Sequence, residues 1–328
     1  HLTTRRQRQM CIRDRMGNVS PENFELVEEE VRDIEDGEIL IKNLFLSFDP
    51  TQRGWLNDVP SYIPPVKIGE IMRASSVGRV IESKNENFSI DDIVQGSFGW
   101  QEYAISGDEK GFMPPRKLPE GITPTSALSI YGVTGLTAYF GMIDIGKPEK
   151  NNTVLISGAA GATGSVAGQI ARIKGATNVI GIAGGSDKCK WVVEEAGFDS
   201  CIDYKNEDVA KRVTELAPKG LDIYFDNVGG SILEIALGNI AQKARVVMCG
   251  GISSGYTMER LAPGPSTVFN LIIQRGRMEG FIVLDYAEQF PHAIMELAGW
   301  VAEGKITYKE DIAEGPVSYT HLRAHETS

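Results

Sequence analysis

The first third of the chain has the hydrophobic pattern of a β-rich unit. Between residues 24 and 103, short runs of alternating apolar and polar residues are separated by turns such as Asp49-Pro50 and Pro64-Pro65. Many short strands at this spacing are typical of an all-β, barrel-like unit. The clearest strands are predicted at residues 38–47, 76–83, 92–96 and 100–105.

From residue 124 onward the pattern changes to alternating strands and helices. The short apolar strand 153–157 leads directly into a glycine-rich turn and then a helix at 165–174. This alternation predicts an α/β domain with a doubly wound parallel sheet and right-handed crossovers. Further strands are predicted at 178–182, 200–203, 221–226, 244–248 and 278–283, and further helices at 187–196 and 289–303. Residues 305–312 are interpreted as a return of the chain to the β unit.

Composition and charge narrow the classes of partner. A chain of 328 residues is long enough for two domains. Its net charge of −11 disfavours nucleic acid or an anionic membrane as a partner, because both would repel it. No apolar run reaches the ~18 residues that a membrane helix needs. The four cysteines include no CxxC pair, so we expect no disulfide framework and a reduced, cytoplasmic setting.

The two ends of the chain lack any periodic pattern. Residues 1–15 are rich in arginine and precede Met16, which has the look of a start residue, and residues 317–328 are equally patternless. Both segments look like foreign sequence fused to a gene fragment, although natural disordered tails are the alternative. In either case we predict that they take no part in the fold.

The glycine-rich turn is the strongest local signal for a ligand. The run from Gly158 to Gly164 has the pattern AxGxxG and stands between a buried strand and a helix. Such a loop brings backbone N–H groups and the positive end of the helix to a pyrophosphate. The candidate pyrophosphate residues are Ala160, Gly161, Ala162 and Gly164.

The choice of dinucleotide is decided at the end of the second strand, about 20 residues further on. An NAD enzyme places a carboxylate there for the ribose hydroxyl, but residues 183–185 are Ala-Gly-Gly. Ser186 and Lys188 follow and can both donate to a 2′-phosphate, which predicts NADPH as the cofactor. Asp187 is discordant and is explained as a carboxylate at a helix start.

Ligands for a metal are scarce. Outside the two terminal segments the one histidine is His292, and no cluster of cysteines accompanies it. We therefore expect no metal, and alcohol oxidation becomes improbable because nothing polarises the alcohol. No Ser-His-Asp or Cys-His arrangement offers an activated nucleophile. Reduction of a double bond conjugated to a carbonyl is easier, because its developing enolate needs only hydrogen-bond donors and a proton source.

Eight sequence blocks, in order, resemble one known family. Together they are similar to the zinc-free medium-chain dehydrogenases and reductases, in the branch of prostaglandin, 2-alkenal and curcumin reductases. The blocks are Asp49-Pro50 with Arg53-Gly54, and residues 61–66, 69–72, 99–103, 135–141, 157–162, 225–230 and 249–253.

The resemblance implies a GroES-like β-barrel catalytic domain split by a Rossmann domain. The expected boundaries are 16–123 for the catalytic domain, 124–303 for the NADPH-binding domain and 304–316 for a truncated return. It also implies a homodimer that reduces the C=C bond of α,β-unsaturated aldehydes or ketones. A quinone reductase, or a cofactor-binding interaction protein without turnover, is the alternative.

The resemblance also assigns site residues. Lys188 and Tyr204 would hold the 2′-phosphate, and Tyr256 would bond the substrate carbonyl, although its loop is one residue longer than in the family. Thr51 stands where the family often has tyrosine, which implies a wider or more polar substrate pocket lined also by Tyr62. The remaining cofactor contacts are Asn227, Cys249, Gly250 and Ile252.

Overall fold

The computed structural model describes residues 6–14, 20–108, 113–254 and 264–314 of the chain. These residues form two compact units. The first contains the described residues up to Ser129 together with residues 311–314, and the second contains residues 130–310. No helix within these ranges is both long and apolar enough to cross a membrane.

The first unit is built on a five-stranded antiparallel sheet with the order β6-β3-β4-β5-β7. Its central strands bury one face in which Ile39, Ile41, Val80 and Val94 have no exposed area. A separate antiparallel pair, β1 and β2, completes the unit. The elements are β1 (Arg6–Ile12), β2 (Phe24–Glu30), β3 (Glu38–Leu46), α1 (Thr51–Trp55), β4 (Ser76–Ser83), β5 (Ile93–Gly96), β6 (Tyr103–Gly107), β7 (Arg116–Lys117) and α2 (Pro124–Leu128).

Strand β1 corrects one expectation from the sequence. Residues 1–15 were expected to stay outside the fold, yet Arg6–Ile12 pairs along its whole length with β2. Ile12 is 1% exposed in a core cluster, and the Met10 N–H donates to the Trp100 carbonyl at 2.8 Å. The hydrophobic pattern does not predict this strand. Two of its inward positions are Gln7 and Gln9, so apolar and polar residues do not alternate along it.

The second unit contains a six-stranded, all-parallel sheet with the order β10-β9-β8-β11-β12-β13. This is the doubly wound order of a dinucleotide-binding fold, and it confirms the predicted fold class. The elements are α3 (Val133–Phe140), β8 (Thr153–Ser157), α4 (Ala162–Ile173), β9 (Asn178–Ala183), α5 (Ser186–Glu194), β10 (Ser200–Asp203), α6 (Val209–Leu216), β11 (Leu221–Asp226), α7 (Gly230–Gly238), β12 (Ile240–Met248), α8 (Asn270–Gln274), β13 (Arg277–Gly280) and α9 (Phe290–Ala302).

The strand order places the functional edge of this unit. Strands β8 and β11 are neighbours, and the connections that follow them run to opposite sides of the sheet. Val154 and Ile156 pack in one core cluster, whereas Leu155 packs in the other, so β8 is covered on both faces. The loops after β8 and β11 therefore meet at one carboxyl edge, over a fully buried support.

Residues 305–310 belong to the second unit and contain no strand, whereas residues 311–314 belong to the first unit. The side chain of Gln169 in α4 makes two hydrogen bonds to this segment. Its Nε2 donates to the Thr307 carbonyl at 2.8 Å, and its Oε1 accepts the Thr307 N–H at 2.7 Å. Ile306 is buried beside them in the core of this unit.

The pairing of the cysteines also differs from the expectation based on the sequence. No disulfide framework was expected, and the structure contains a single disulfide that joins Cys189 in α5 to Cys201 in β10. It is one cross-link within the second unit and not a framework. The pair could not be recognised from spacing, because 12 positions separate the two residues along the chain.

Candidate cofactor and substrate sites

The glycine loop after β8 has the shape of a phosphate cradle. Gly158 takes a φ of +61°, and the Ala159 N–H donates to the Ile182 carbonyl at 2.9 Å, which fastens the loop to β9. Helix α4 begins directly after Gly161. Ala160 is half-buried while Gly161 and Ala162 are exposed, so the start of the helix lies at the protein surface. A positive helix end with unpaired N–H groups fits the pyrophosphate of a dinucleotide.

Gly164 brings the helix close to the loop. A Cβ placed on this residue would lie 2.2 Å from the carbonyl oxygen of Gly158 and 2.9 Å from its carbonyl carbon. Both atoms belong to the backbone, so no side-chain rotation can relieve the contact. The sequence-based role of Gly164 in tight packing of helix and strand therefore has a direct steric cause.

We expect Gly164→Ala to destabilise the protein by about 1–3 kcal/mol, the usual cost of overpacking. It should also weaken dinucleotide binding, because α4 must move away from the loop. Denaturant unfolding and cofactor titration measure the two effects. The matched control is Gly299→Ala in α9, where a Cβ meets no atom within 4 Å and helix propensity predicts a gain of up to about 1 kcal/mol. Wild-type stability and affinity in Gly164→Ala would contradict this steric role.

A second group of residues surrounds the turn after β9. Tyr204, 45% exposed, lies with its ring over Gly184, where an added Cβ would be 2.8 Å from the phenol. Ser186 and Lys188 occupy the exposed first turn of α5, which starts after Gly185 at a φ of +100°. The structure thus brings the three predicted phosphate residues to adjacent segments, with Gly184 where a side chain would clash with Tyr204 and Gly185 where the backbone has a positive φ.

Asp203, at the end of β10, organises this turn and was not recognised from the sequence. Its Oδ1 accepts the Gly185 N–H at 2.7 Å and the Lys205 N–H at 3.1 Å, and its Oδ2 accepts from Asn206 Nδ2 at 2.7 Å. The bonds from Asn206 and Gly185 hold the pKa of Asp203 below its ordinary value. The Asp203 carboxylate accepts its hydrogen bonds from groups within the protein. The hydrogen-bond donors that the exposed turn offers to a phosphate are therefore Ser186 and Lys188.

The carboxylate of Asp226 ties the end of β11 to the neighbouring strand. It is fully buried, and its Oδ1 accepts four hydrogen bonds between 2.7 and 3.0 Å. The donors are the hydroxyls of Ser157 and Tyr224 and the N–H groups of Val228 and Gly229. Its Oδ2 has no hydrogen-bond partner among the described residues. Burial and the nearby carboxylate raise the pKa of Tyr224 well above its ordinary value.

The turns after β11 and β12 are joined to each other at the same edge. The Cys249 and Gly250 N–H groups both donate to the Asp226 carbonyl at 2.9 Å, and the Ile252 N–H donates to the Asn227 carbonyl at 3.3 Å. Asn227 in turn donates from Nδ2 to the Ser157 carbonyl at 2.7 Å. Hydrogen bonds therefore connect these two turns with β8, the strand that leads into the glycine loop. The turns contain four predicted cofactor residues, namely Asn227, Cys249, Gly250 and Ile252.

The predicted substrate residues in the first unit contact each other. The hydroxyl oxygens of Thr51 and Tyr62 lie 2.6 Å apart, and Trp55 Nε1 donates to the Tyr62 oxygen at 2.9 Å. Tyr62 also lines an open hollow of about 410 Å³ formed by residues 58–65. The guanidinium of Arg73 stacks 5.4 Å from the centre of the Trp55 ring, and burial lowers its pKa.

Two further expectations concern residues that the structure does not place in a site. Tyr256, the candidate carbonyl donor, lies outside the described residues, as do residues 317–328. His292 is exposed on α9, with its Nε2 3.8 Å from Glu296 Oε2. Across the described ranges, no three His, Cys, Asp or Glu side chains come together in a way that could hold a metal.

Comparison with known proteins agrees with this geometry. Residues 8–114 match a family described as the N-terminal domain of oxidoreductase, and residues 162–299 match one described as zinc-binding dehydrogenase. The first match begins inside β1. The name of the second refers to zinc, although the described part of this chain offers no ligand cluster for it.

Individual relatives cover almost the whole chain. The NADPH-dependent curcumin reductase of Escherichia coli (strain K12) is 39% identical over 301 residues, covering 90% of this chain and 86% of that protein. Prostaglandin reductase 1 of Bos taurus is 37% identical over 302 residues, covering 92% and 89%. The crystal structure of CurA from Vibrio vulnificus in complex with NADPH is 37% identical, with a TM-score of 0.88 and coverage of 96% and 95%. The chain therefore belongs to the medium-chain dehydrogenase/reductase family, in its NADP-dependent branch with the curcumin and prostaglandin reductases.

Proposed function

We propose that this enzyme uses NADPH to reduce the C=C bond of α,β-unsaturated aldehydes and ketones. The observation that carries the proposal is the match along nearly the whole chain to relatives named as NADPH-dependent curcumin reductase and prostaglandin reductase. The residues at the carboxyl edge of the parallel sheet fit the cofactor. They provide a glycine loop in close contact with α4, a helix N-terminus for the pyrophosphate and hydrogen-bond donors for a 2′-phosphate.

Each region of the chain has a separate task in this reaction. When bound, NADPH supplies a hydride, which is received by the β-carbon of the substrate. Ala160, Gly161, Ala162 and Gly164 bind the pyrophosphate, whereas Ser186, Lys188 and Tyr204 bind the 2′-phosphate. The bonded turns around Asn227, Cys249, Gly250 and Ile252 position the rest of the dinucleotide.

The carbonyl oxygen of the substrate gains negative charge during the reaction and needs a hydrogen-bond donor. Tyr256 fills this role, on the resemblance of its loop to the family. The α-carbon then receives a proton from Tyr256 or from water. No metal is needed for these steps, because a hydrogen bond suffices for an enolate oxygen.

Thr51 and Tyr62 are proposed to line the substrate pocket. Support comes from the contact between their hydroxyls and from the hollow beside Tyr62. Thr51 is smaller and more polar than the tyrosine that the family often has there, so the pocket accepts wider or more polar enones.

Product analysis tests the proposed reaction. We expect NADPH oxidation with a panel of enals and enones to yield the saturated carbonyl compound, with the same rate after treatment with a strong chelator. Hydroquinone from a quinone panel, without saturated product from any enone, would instead identify a quinone reductase. Binding of NADPH without turnover on either panel would indicate an interaction protein.

We also propose that the enzyme is a cytoplasmic homodimer. The edge strand β13, helix α8 and the two residues before α8 carry several exposed apolar side chains, a pattern typical of association surfaces. Phe269 is 61% and Ile272 is 70% exposed, and Val268, Ile273 and Met278 are exposed close to them in the chain. Pairing of two such edges would cover this surface.

A further inference from the structure

Two cysteines with no part in the proposed reaction lie beside the 2′-phosphate residues. Cys189 belongs to α5 and Cys201 to β10, and the structure joins them with a Cα–Cα distance of 5.2 Å. This distance is within the usual range of about 4.4–6.8 Å for a disulfide, so the backbone permits the bond without rearrangement.

The cross-link connects the two segments that carry the phosphate donors. Lys188 directly precedes Cys189, and Tyr204 comes three residues after Cys201. The same segments are also joined by the bond from the Gly185 N–H to Asp203 and by the bond from the Tyr204 N–H to the Ala183 carbonyl at 3.1 Å. The disulfide therefore reinforces, with a covalent bond, a junction that hydrogen bonds already form.

Small reagents can reach this pair of sulfur atoms. Both cysteines are half-buried, and both line one open hollow of about 580 Å³. The other two cysteines differ, because Cys11 is buried in β1 and burial raises the pKa of the Cys249 thiol to about 12. A thiol that stays protonated reacts slowly in exchange.

We propose that Cys189 and Cys201 form a thiol–disulfide exchange site, with glutathione-type thiols as its reagents, whose oxidation strengthens NADPH binding. The proposal rests on the assignment of Lys188 and Tyr204 to the 2′-phosphate. In a cytoplasmic protein such a bond is typically transient and regulatory.

The exchange is balanced in atoms and electrons. One cysteine thiolate attacks glutathione disulfide, forms a mixed disulfide and releases one glutathione thiolate. The second cysteine thiolate attacks the mixed disulfide at the protein sulfur and releases the second glutathione. Two protein thiols thereby lose two electrons and two protons, and two molecules of reduced glutathione carry them away.

The position of the disulfide predicts that oxidation raises the affinity for NADPH. With the disulfide formed, the first turn of α5 is held against β10, and Lys188 and Tyr204 keep their spacing before the phosphate arrives. Reduction leaves only the hydrogen bonds, so part of the ordering must accompany binding. We expect NADPH to bind about fivefold more weakly to the reduced protein, at the low end of typical coupling between sites. NADH lacks the phosphate and should bind equally to both forms.

The first experiment establishes the bond itself. The full chain is equilibrated with glutathione disulfide, its free thiols are blocked, and it is digested without reduction for mass spectrometry. We expect a linked pair of peptides containing Cys189 and Cys201, and the Cys11→Ala control should show the same pair. Absence of this linkage, or a mixture of pairings with Cys11 or Cys249, would overturn the proposal whatever the enzyme reduces.

The second experiment measures the coupling. NADPH and NADH are titrated into the oxidised protein, the protein reduced with dithiothreitol, and the Cys201→Ser variant. We expect Cys201→Ser to match the reduced protein in both redox conditions, while Cys11→Ala responds like wild type. By reciprocity, saturating NADPH should lower the reduction potential of the pair by about 20 mV, which is the fivefold change converted for two electrons.

Equal NADPH affinity of the oxidised and reduced proteins would overturn the coupling. So would tighter binding to the reduced form. A failure of the proposed phosphate site looks different, since Lys188→Ala would then leave NADPH affinity unchanged in both redox states. The peptide linkage does not depend on either result.

Discussion

Replacement of Lys188 with alanine should weaken NADPH binding by roughly 10- to 150-fold and leave NADH binding almost unchanged. The 2′-phosphate carries close to two negative charges, and a hydrogen bond to a charged group contributes about 1.5–3 kcal/mol, where about 1.4 kcal/mol is tenfold in affinity. Lys188 stands in the exposed first turn of α5, next to the turn that Asp203 holds in place. Fluorescence titration with both cofactors measures the difference.

Lys190 offers a matched control on the same helix. It carries the same charge two positions further on, and its Nζ lies 3.9 Å from Glu194 Oε2. Lys190→Ala should change NADPH affinity far less than Lys188→Ala does. If Lys188→Ala weakened NADPH and NADH equally, the residue would not contact the 2′-phosphate, and Asp187 would become the candidate ligand of the ribose.

Tyr256→Phe should lower kcat by about 10²–10³, the usual loss when one donor to a developing oxyanion is removed. NADPH affinity should stay close to wild type, because the hydroxyl acts on the substrate and not on the cofactor. Steady-state rates on several enones, together with cofactor titration, separate the two effects. A smaller loss is expected if water shares the donor role.

Tyr286→Phe is the matched control for this variant. Its hydroxyl donates to Asp144 Oδ2 at 2.8 Å, and burial together with that carboxylate raises its pKa to about 12. The substitution removes a tyrosine hydroxyl outside the proposed reaction and should leave kcat unchanged. Wild-type turnover of Tyr256→Phe on every accepted enone would show that the Tyr256 hydroxyl does not act on the substrate carbonyl.

The central part of the parallel sheet was predictable because its strands, such as β8 and β11, are buried on both faces. Thr153–Ser157, Ser200–Asp203 and Leu221–Asp226 have the predicted bounds. In the first and third of these strands the apolar residues 154–156 and 223–225 are fully buried, because both faces of a central parallel strand are covered. Arg6–Ile12 could not be found in this way, because buried glutamines occupy two of its inward positions. The one-turn helix Thr51–Trp55 was missed too, because five residues are too few to show a helical period.

Within the candidate site, the close packing at Gly164 was predictable because it is a contact of the backbone. Gly164 is visible in the sequence because a glycine pattern between a strand and a helix has few other causes. The roles of Asp203 and Asp226 were not visible, because their partners come from other strands and turns. The same is true of the link between Cys189 and Cys201, which depends on the parallel pairing of β10 with β9.

The carboxylate of Asp226 has a consequence for how substitutions combine at this edge of the sheet. Ser157 and Tyr224 donate to the same oxygen, so the loss of one donor changes what the other contributes. Contacts within one network usually deviate from additivity by about 0.5–3 kcal/mol. A sequence change at Ser157 is therefore tolerable or harmful according to the residue at position 224. We expect substitutions at the two positions and at Asp226 to be non-additive, even though 67 positions separate Ser157 from Tyr224 in the chain.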